Sequence, residues 1–336
     1  MRIGTGINTY EWQENWVKYP ASESLQSGWS HHGVAISETG DIITYHPGDP
    51  TVMIFDQEGN LKSSWDANFA DAHGITLVKD GDTEFLWIAD NGAKRQAGYQ
   101  YEYPSDMGRI EGKAIKMTLD GRMVLQLAQP DRPKYRDGDY KPTWVAVNEA
   151  RNGGNEDVWV ADGYGQNEVH RYTKNGDYTG TIDGTEGTAG HFNCPHAIFV
   201  DTRKNDPELY VADRGNGRIQ VYDMDGSFKR SFGDDIFITP SGIVTDGDLM
   251  VVAELNARIT ILDMDDKLVT YLGDNHQVSD GAGWPNELDS VGVPSRTSRL
   301  EAGKFNSPHG LGVDGDGNLY VAEWLIGGRF TRLAKI

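Results

Sequence analysis

Three histidines occupy one position of a recurring pattern: His73 in A-H-G, His196 in P-H-A and His309 in P-H-G. Each precedes a short apolar run, and a second apolar run follows that ends on Ala-Asp or Ala-Glu. If a fold brings these rings to one point, three imidazoles with a fourth position left open make the layout of a catalytic zinc site. A single histidine at a turn is more simply a ring satisfied by a backbone carbonyl. Three at the same repeat position favour the ligand reading, with one zinc ion per chain.

The elements that position them are legible between Asn193 and Asp223. The chain there reads N-C-P-H-A-I-F-V-D, a polar turn, L-Y-V-A-D, then R-G-N-G-R-I-Q-V-Y-D. Apolar runs ending on aspartate, separated by Gly- and Asn-bearing turns, predict three antiparallel strands, with a fourth from Ser227 to Phe232. The unit recurs from His31-His32-Gly33, Ala72-His73-Gly74, Pro142-Thr143, Pro240-Ser241-Gly242 and Pro308-His309-Gly310. Six such units predict an all-β fold, a six-bladed β-propeller forming a single domain over 1–336. The last unit is one strand short, while the alternating run Tyr10, Trp12, Trp16 has no neighbour to pair with. The strand from Tyr10 to Trp16 is therefore expected as the outer strand of the last blade, closing the ring and removing its open edge.

Antiparallel pairing puts the start of each inner strand and the end of each second strand on one face of the disc. Around that mouth the first position holds His32, His73, Thr143, His196, Ser241 and His309. The second is followed by Asn91, Gly163-Tyr164, Arg214, Leu255 and Trp324, with Tyr45-His46-Pro47 serving in blade one. Alternate blades of a six-fold ring stand roughly 120° apart, so His73, His196 and His309 converge. His32, the fourth histidine of the register, is read as a substrate contact or a support for a ligand. Segments 91–112, 129–141 and 275–307 are longer than ordinary strand connections, and their aromatic and basic content suits a lid over one face.

Composition narrows the partners. Forty-one glycines, nine tryptophans and fifteen tyrosines suit many short strands and turns. A formal net charge of −20 disfavours nucleic acid and anionic membrane surfaces as partners and leaves a small molecule or short peptide. The start, M-R-I-G-T-G-I-N-T-Y, lacks an apolar signal core, and no stretch approaches the ~20 apolar residues of a spanning helix. With Cys194 as the one cysteine there is no disulfide framework, so a reducing cytoplasm is expected.

The segments G-H-F-N-C-P-H and G-K-F-N-S-P-H, and the run L-Y-V-A-D-R-G-N-G-R-I, resemble the NHL repeat. V-W-V-A-D-G-Y followed one blade later by P-H and A-D-R-G-N-G-R-I-Q resembles the peptidyl-α-hydroxyglycine α-amidating lyases. That resemblance implies a six-bladed propeller in which zinc on three histidines and a tyrosine break a carbinolamide into an amide and glyoxylate. By motif the zinc ligands fall on His73, His196 and His309, the catalytic tyrosine on Tyr164 and a mouth arginine on Arg214. It implies Tyr164 as general base, favoured by the metal and Arg214.

Two positions depart from the family pattern. An arginine of the first blade, in His-Arg-Gly-Asp, is here His46-Pro47-Gly48-Asp49, and Pro47 supplies no cation. The aspartate that follows the last zinc histidine and helps hold a structural calcium is here Gly310, which puts that calcium in doubt. The implied enzyme is a zinc-dependent lyase acting on a carbinolamide-like or hemiacetal-like molecule, with His32, His46, Lys94 and Arg95 as candidate substrate contacts. Arg218 is expected to pair inside its blade, and Asp90, Asp162 and Asp213 to cap turns. Two other classes stay open: a sugar-acid lactonase-like hydrolase, which would use carboxylates around calcium, and a non-catalytic propeller binding a peptide or protein.

Overall fold

The second strands of the repeat read as unbroken apolar runs because blades cover both of their faces. Val158–Asp162 and Glu208–Asp213 are buried at every residue, whereas the outer strand Leu61–Asp66 is almost wholly exposed. A computed structural model describes residues 1–94 and 111–336. Five antiparallel four-stranded sheets and one five-stranded sheet form the six blades of a propeller, with a small two-stranded hairpin outside them. The inner strands are Ala35–Ile36, Gly74–Asp80, Trp144–Val147, Pro195–Asp201, Pro240–Asp246 and Pro308–Val313. Apolar clusters straddle neighbouring blades: Trp159 and Tyr210 share one, and Val251 and Leu311 another.

The ring closes through its amino terminus. Strand β2 (Asn8–Glu14) lies antiparallel beside Arg329–Lys335, with Trp12 opposite Leu333 and Glu14 opposite Thr331. Two features differ from the expected strand. Pairing stops at Glu14, where Asn15 takes a left-handed φ of 49°, and a preceding strand β1 (Arg2–Thr5) pairs outside β2 as a fifth strand. Trp16 serves another purpose. Its ring packs edge-on against Tyr320 of blade six at 4.9 Å and its indole donates to the Gln57 carbonyl of blade one at 2.8 Å, tying the two blades together.

Closure carries a measurable share of stability. Tyr10 and Trp12 are 0% and 5% exposed, Trp12 packs on Phe305, and Glu14 pairs with buried Arg329. Two large apolar side chains contribute about 1.5–3 kcal/mol each when fully buried, so deleting residues 1–14 is expected to cost about 3–6 kcal/mol. That is a large part of a typical folding free energy. Denaturant unfolding of the truncated and full chains checks it, and an unchanged midpoint would contradict it.

In every blade but the first, whose second strand ends on Tyr45, the acid that ends the second strand holds the segment entering the inner strand. Asp90 accepts the backbone N–H groups of Ala70 and Asp71, Asp213 that of Asn193, and Glu323 those of Asn306 and Ser307. These segments lead directly into His73, His196 and His309. The buried carboxylates thus fix the backbone from which the three rings project.

Candidate metal centre

At the six equivalent inner-strand positions, residues 32, 73, 143, 196, 241 and 309 are all buried. Histidines on alternate blades are supported by the intervening ones. His73 Nδ1 lies 2.7 Å from the Thr143 carbonyl, His196 Nδ1 2.7 Å from the Ser241 carbonyl and His309 Nδ1 3.4 Å from the His32 carbonyl. A carbonyl only accepts, so each Nδ1 carries the proton and each Nε2 presents its lone pair to the axis. Glycine after histidine makes this approach possible. A Cβ at Gly74 would stand 2.5 Å from the same Thr143 oxygen, and one at Gly310 would stand 2.3 Å from the His32 oxygen.

The three Nε2 atoms meet. His309 Nε2 is 3.1 Å from His73 Nε2 and 3.2 Å from His196 Nε2. Both partners in each contact are acceptors, so the arrangement is repulsive unless a cation sits among them. The Tyr164 hydroxyl stands beside them, 3.2 Å from His73 Nε2 and 3.0 Å from His196 Nε2. Two nitrogens held tetrahedrally at the ~2.0–2.1 Å of a zinc–imidazole bond would stand about 3.3–3.4 Å apart, close to the 3.1 and 3.2 Å that separate His309 Nε2 from those of His73 and His196. The donor set fits a zinc-like ion.

Electrostatics keep the three imidazoles neutral. Burial, with Arg214 adding to it and the Thr143 carbonyl opposing, pushes His73 down to about 3. Burial followed by Arg214 and the neighbouring imidazoles holds His196 well below the usual range, and burial followed by His73 and Arg214 does the same for His309. Neutral imidazole is the form that binds a metal.

Arg214 Nη1 donates to the Tyr164 hydroxyl at 3.2 Å, and the guanidinium lies over that ring at 5.2 Å. Among the described residues no carboxylate lies within ion-pair distance of Arg214, whereas Arg218 pairs with Asp213 at 2.9 Å. The mouth therefore presents the Arg214 charge to whatever enters.

The chain resembles NHL-repeat propellers. No family model matches it. It is 26% identical over 307 residues to human NHL repeat-containing protein 3, covering 86% of this chain and 73% of that protein. It is 27% identical over 290 residues to peptidyl-alpha-hydroxyglycine alpha-amidating lyase 1 of Drosophila melanogaster, covering 79% of this chain but 45% of the lyase. Among solved structures, a streptogramin B lyase superposes over 96% of this chain and 97% of its own with a TM-score of 0.57 at 16% identity, a likeness of fold. No helix among the described residues is long and apolar enough to cross a membrane.

Within this NHL-like ring the other candidate residues separate. His32 holds the repeat position but lies between blades one and six, where it stacks on Phe330 of blade six at 5.7 Å and neighbours Ser30 Oγ at 3.4 Å. His46 is buried, and its Nδ1 accepts the N–H groups of Gly48 and Asp49, so the 46–49 turn occupies it. Lys94 is 1% exposed, donating to the His46 carbonyl at 2.9 Å, facing Asp71 at 3.5 Å and lying over the Tyr45 ring. None of these three is placed as a substrate contact. Arg95 lies outside the described residues.

His31 is the residue that sequence reasoning missed. Its Nε2 sits 3.1 Å from the Tyr164 hydroxyl, and ring nitrogens of His31, His73 and His309 all lie within 4.8 Å of one another. The signal was the doublet itself, since adjacent residues in extended chain point to opposite sides and only one of two neighbouring histidines can face the axis.

The long segments are used differently from one another. In 129–141, Arg132 and Lys134 pair with Glu168, and the Tyr135 hydroxyl donates to Asp162 at 2.6 Å, which pins the segment to blade three. In 275–307, Trp284 packs on Trp324 at 5.8 Å, and Trp324 on His31 at 5.7 Å, forming an aromatic wall beside the imidazoles. Most of the 91–112 segment, from 95 to 110, lies outside the described residues.

Proposed function

We propose that this chain is a metal-dependent lyase that breaks a carbon–nitrogen or carbon–oxygen bond at a carbon bearing a hydroxyl, on a carbinolamide-like small molecule or short peptide. One observation carries the reading: three buried, neutral imidazoles, with His309 Nε2 3.1 and 3.2 Å from those of His73 and His196, beside a phenol and a guanidinium. His73, His196 and His309 would hold the ion. When bound, a zinc-like ion supplies Lewis acidity toward a substrate oxygen.

The chain's own groups account for the remaining chemistry. Tyr164 stands where it can exchange a proton with the substrate hydroxyl. As that O–H bond breaks, its electrons form the carbonyl, the bond from the same carbon to nitrogen opens, and the departing nitrogen takes a proton. Atoms balance without water. Arg214 places its charge 3.2 Å from the phenol oxygen and offers a partner for a substrate carboxylate, a role suited to a cation that has no carboxylate of its own among the described residues. The rings of Trp324 and Trp284 line the side next to His31 and would limit its contact with water.

The carboxylates ending the second strands accept backbone N–H groups, which favours the imidazole site over a carboxylate-and-calcium hydrolase layout. A side chain at position 310 would collide with the His32 carbonyl, so no acidic ligand is available there. The testing experiment incubates zinc-loaded chain with an N-acyl-α-hydroxyglycine and follows glyoxylate. Metal-dependent release is expected. With Pro47 in place of a first-blade cation, turnover should be slower than on a neutral carbinolamide of similar size, and no metal-dependent cleavage of either would overturn the proposal.

A further inference from the structure

Four imidazoles, not three, gather at the axis. The ring centroid of His31 is 4.6 Å from that of His73 and 4.5 Å from that of His309. Those among the other three are 4.6, 4.7 and 4.9 Å. His31 is therefore as close to two of the ligands as the ligands are to each other. Its Nε2 lies against the Tyr164 hydroxyl, which in turn is 3.0–3.2 Å from the Nε2 atoms of His73 and His196.

The opposite edge of His31 faces a charged support. Its Nδ1 is 3.7 Å from Asp71 Oδ2, and the Lys94 ammonium is 3.5 Å from Asp71 Oδ1. Asp71 is wholly buried, and among the described residues neither of its oxygens has a hydrogen-bond partner. A buried carboxylate left unbonded is costly, and an Nδ1–H drawn onto it would relieve that cost. A carboxylate behind an imidazole is also a common means of orienting a metal ligand and raising its basicity. The other three rings have backbone carbonyls in that place, so this support is particular to His31.

We infer that His31 is a fourth imidazole ligand of the same ion, positioned by Asp71, which Lys94 anchors. The inference rests on the metal-dependent reading above and deepens it. A substrate oxygen would then enter an ion that already carries four nitrogens, or would displace His31. Imidazole-rich sets suit zinc, copper, iron and nickel, so the metal selectivity of this centre would differ from that of a three-histidine site.

The test uses the full chain loaded with zinc. X-ray absorption counts the imidazoles around the ion in the unaltered protein and in His31→Gln. Four falling to three is expected, with metal affinity weakened about tenfold or more in a competition assay. Asp71→Asn is expected to weaken affinity by about 10–100-fold in the native background and to add little on top of His31→Gln, because it acts through that ring. Three imidazoles in both proteins, with metal bound, would overturn this inference and leave the three-histidine centre standing. Failure of the unaltered chain to bind metal would overturn both. The count on unaltered protein decides the matter even if a variant misfolds.

Discussion

Changing His309 to alanine is expected to empty the metal centre. His309 belongs to both groups of rings, the one formed with His73 and His196 and the one formed with His31 and His73. Its Nε2 is the atom that closes the contacts at 3.1 and 3.2 Å, so its removal leaves no compact set of three at the axis. Loss of a direct ligand should exceed the 10–100-fold cost of losing an outer support, giving about 10²-fold or more in affinity. The structural cost should be small by comparison. Of the three Nδ1 contacts to carbonyls, that of His309 is the longest at 3.4 Å, and removing the ring also removes two acceptor-to-acceptor contacts. Elemental analysis after dialysis should find about one zinc-like ion per chain in the unaltered protein and close to none in the variant, while metal-free samples of the two unfold at similar denaturant concentrations. Retention of the ion by His309→Ala would show that it binds elsewhere.

The propeller is readable because its unit repeats, and the repeat carries the placement of the three axial histidines with it. Equal positions in a closed ring are equal positions in space, so His73, His196 and His309, remote in sequence, could be brought together without knowledge of any contact. The function of the capping acids followed from the same register, as did the pairing of Arg218 with Asp213. What a register cannot give is the direction of one side chain relative to its neighbour. It selected His32 from the His31-His32 doublet, and the structure turns His32 onto Phe330 while His31 faces the axis.

Charges misled for a related reason. Lys94 reads as a candidate substrate contact and the 129–141 segment as part of a lid, yet Asp71, the partner of Lys94, and Glu168, the partner of Arg132 and Lys134, become neighbours only when the loops fold back on the blades. Strand β1 escaped notice because Arg2–Thr5 is short and mostly exposed, with no alternation of apolar and polar residues to mark it. The edge it adds is invisible to a pattern that looks for burial.

Removing the Tyr164 oxygen should separate chemistry from architecture. In Tyr164→Phe the ring stays, together with its packing beneath the Arg214 guanidinium at 5.2 Å and its stacked arrangement with His31 at 5.8 Å. Lost are the hydroxyl's contacts to His31, His73, His196 and Arg214. His73 and His196 keep their carbonyl supports, so metal content and stability are expected to hold. Turnover is not. If Tyr164 exchanges the proton of the substrate hydroxyl, its loss should lower kcat by roughly 10²–10⁴-fold, the usual worth of a positioned acid–base group. KM should move little, because an interaction made chiefly in the transition state lowers kcat and kcat/KM together. Steady-state kinetics of glyoxylate release, run beside metal analysis of the same samples, checks both halves. Intact turnover in Tyr164→Phe would reduce the phenol to a wall of the pocket, and another group would have to carry the proton. A fall in turnover that tracked a fall in bound metal would instead make the phenol oxygen a ligand.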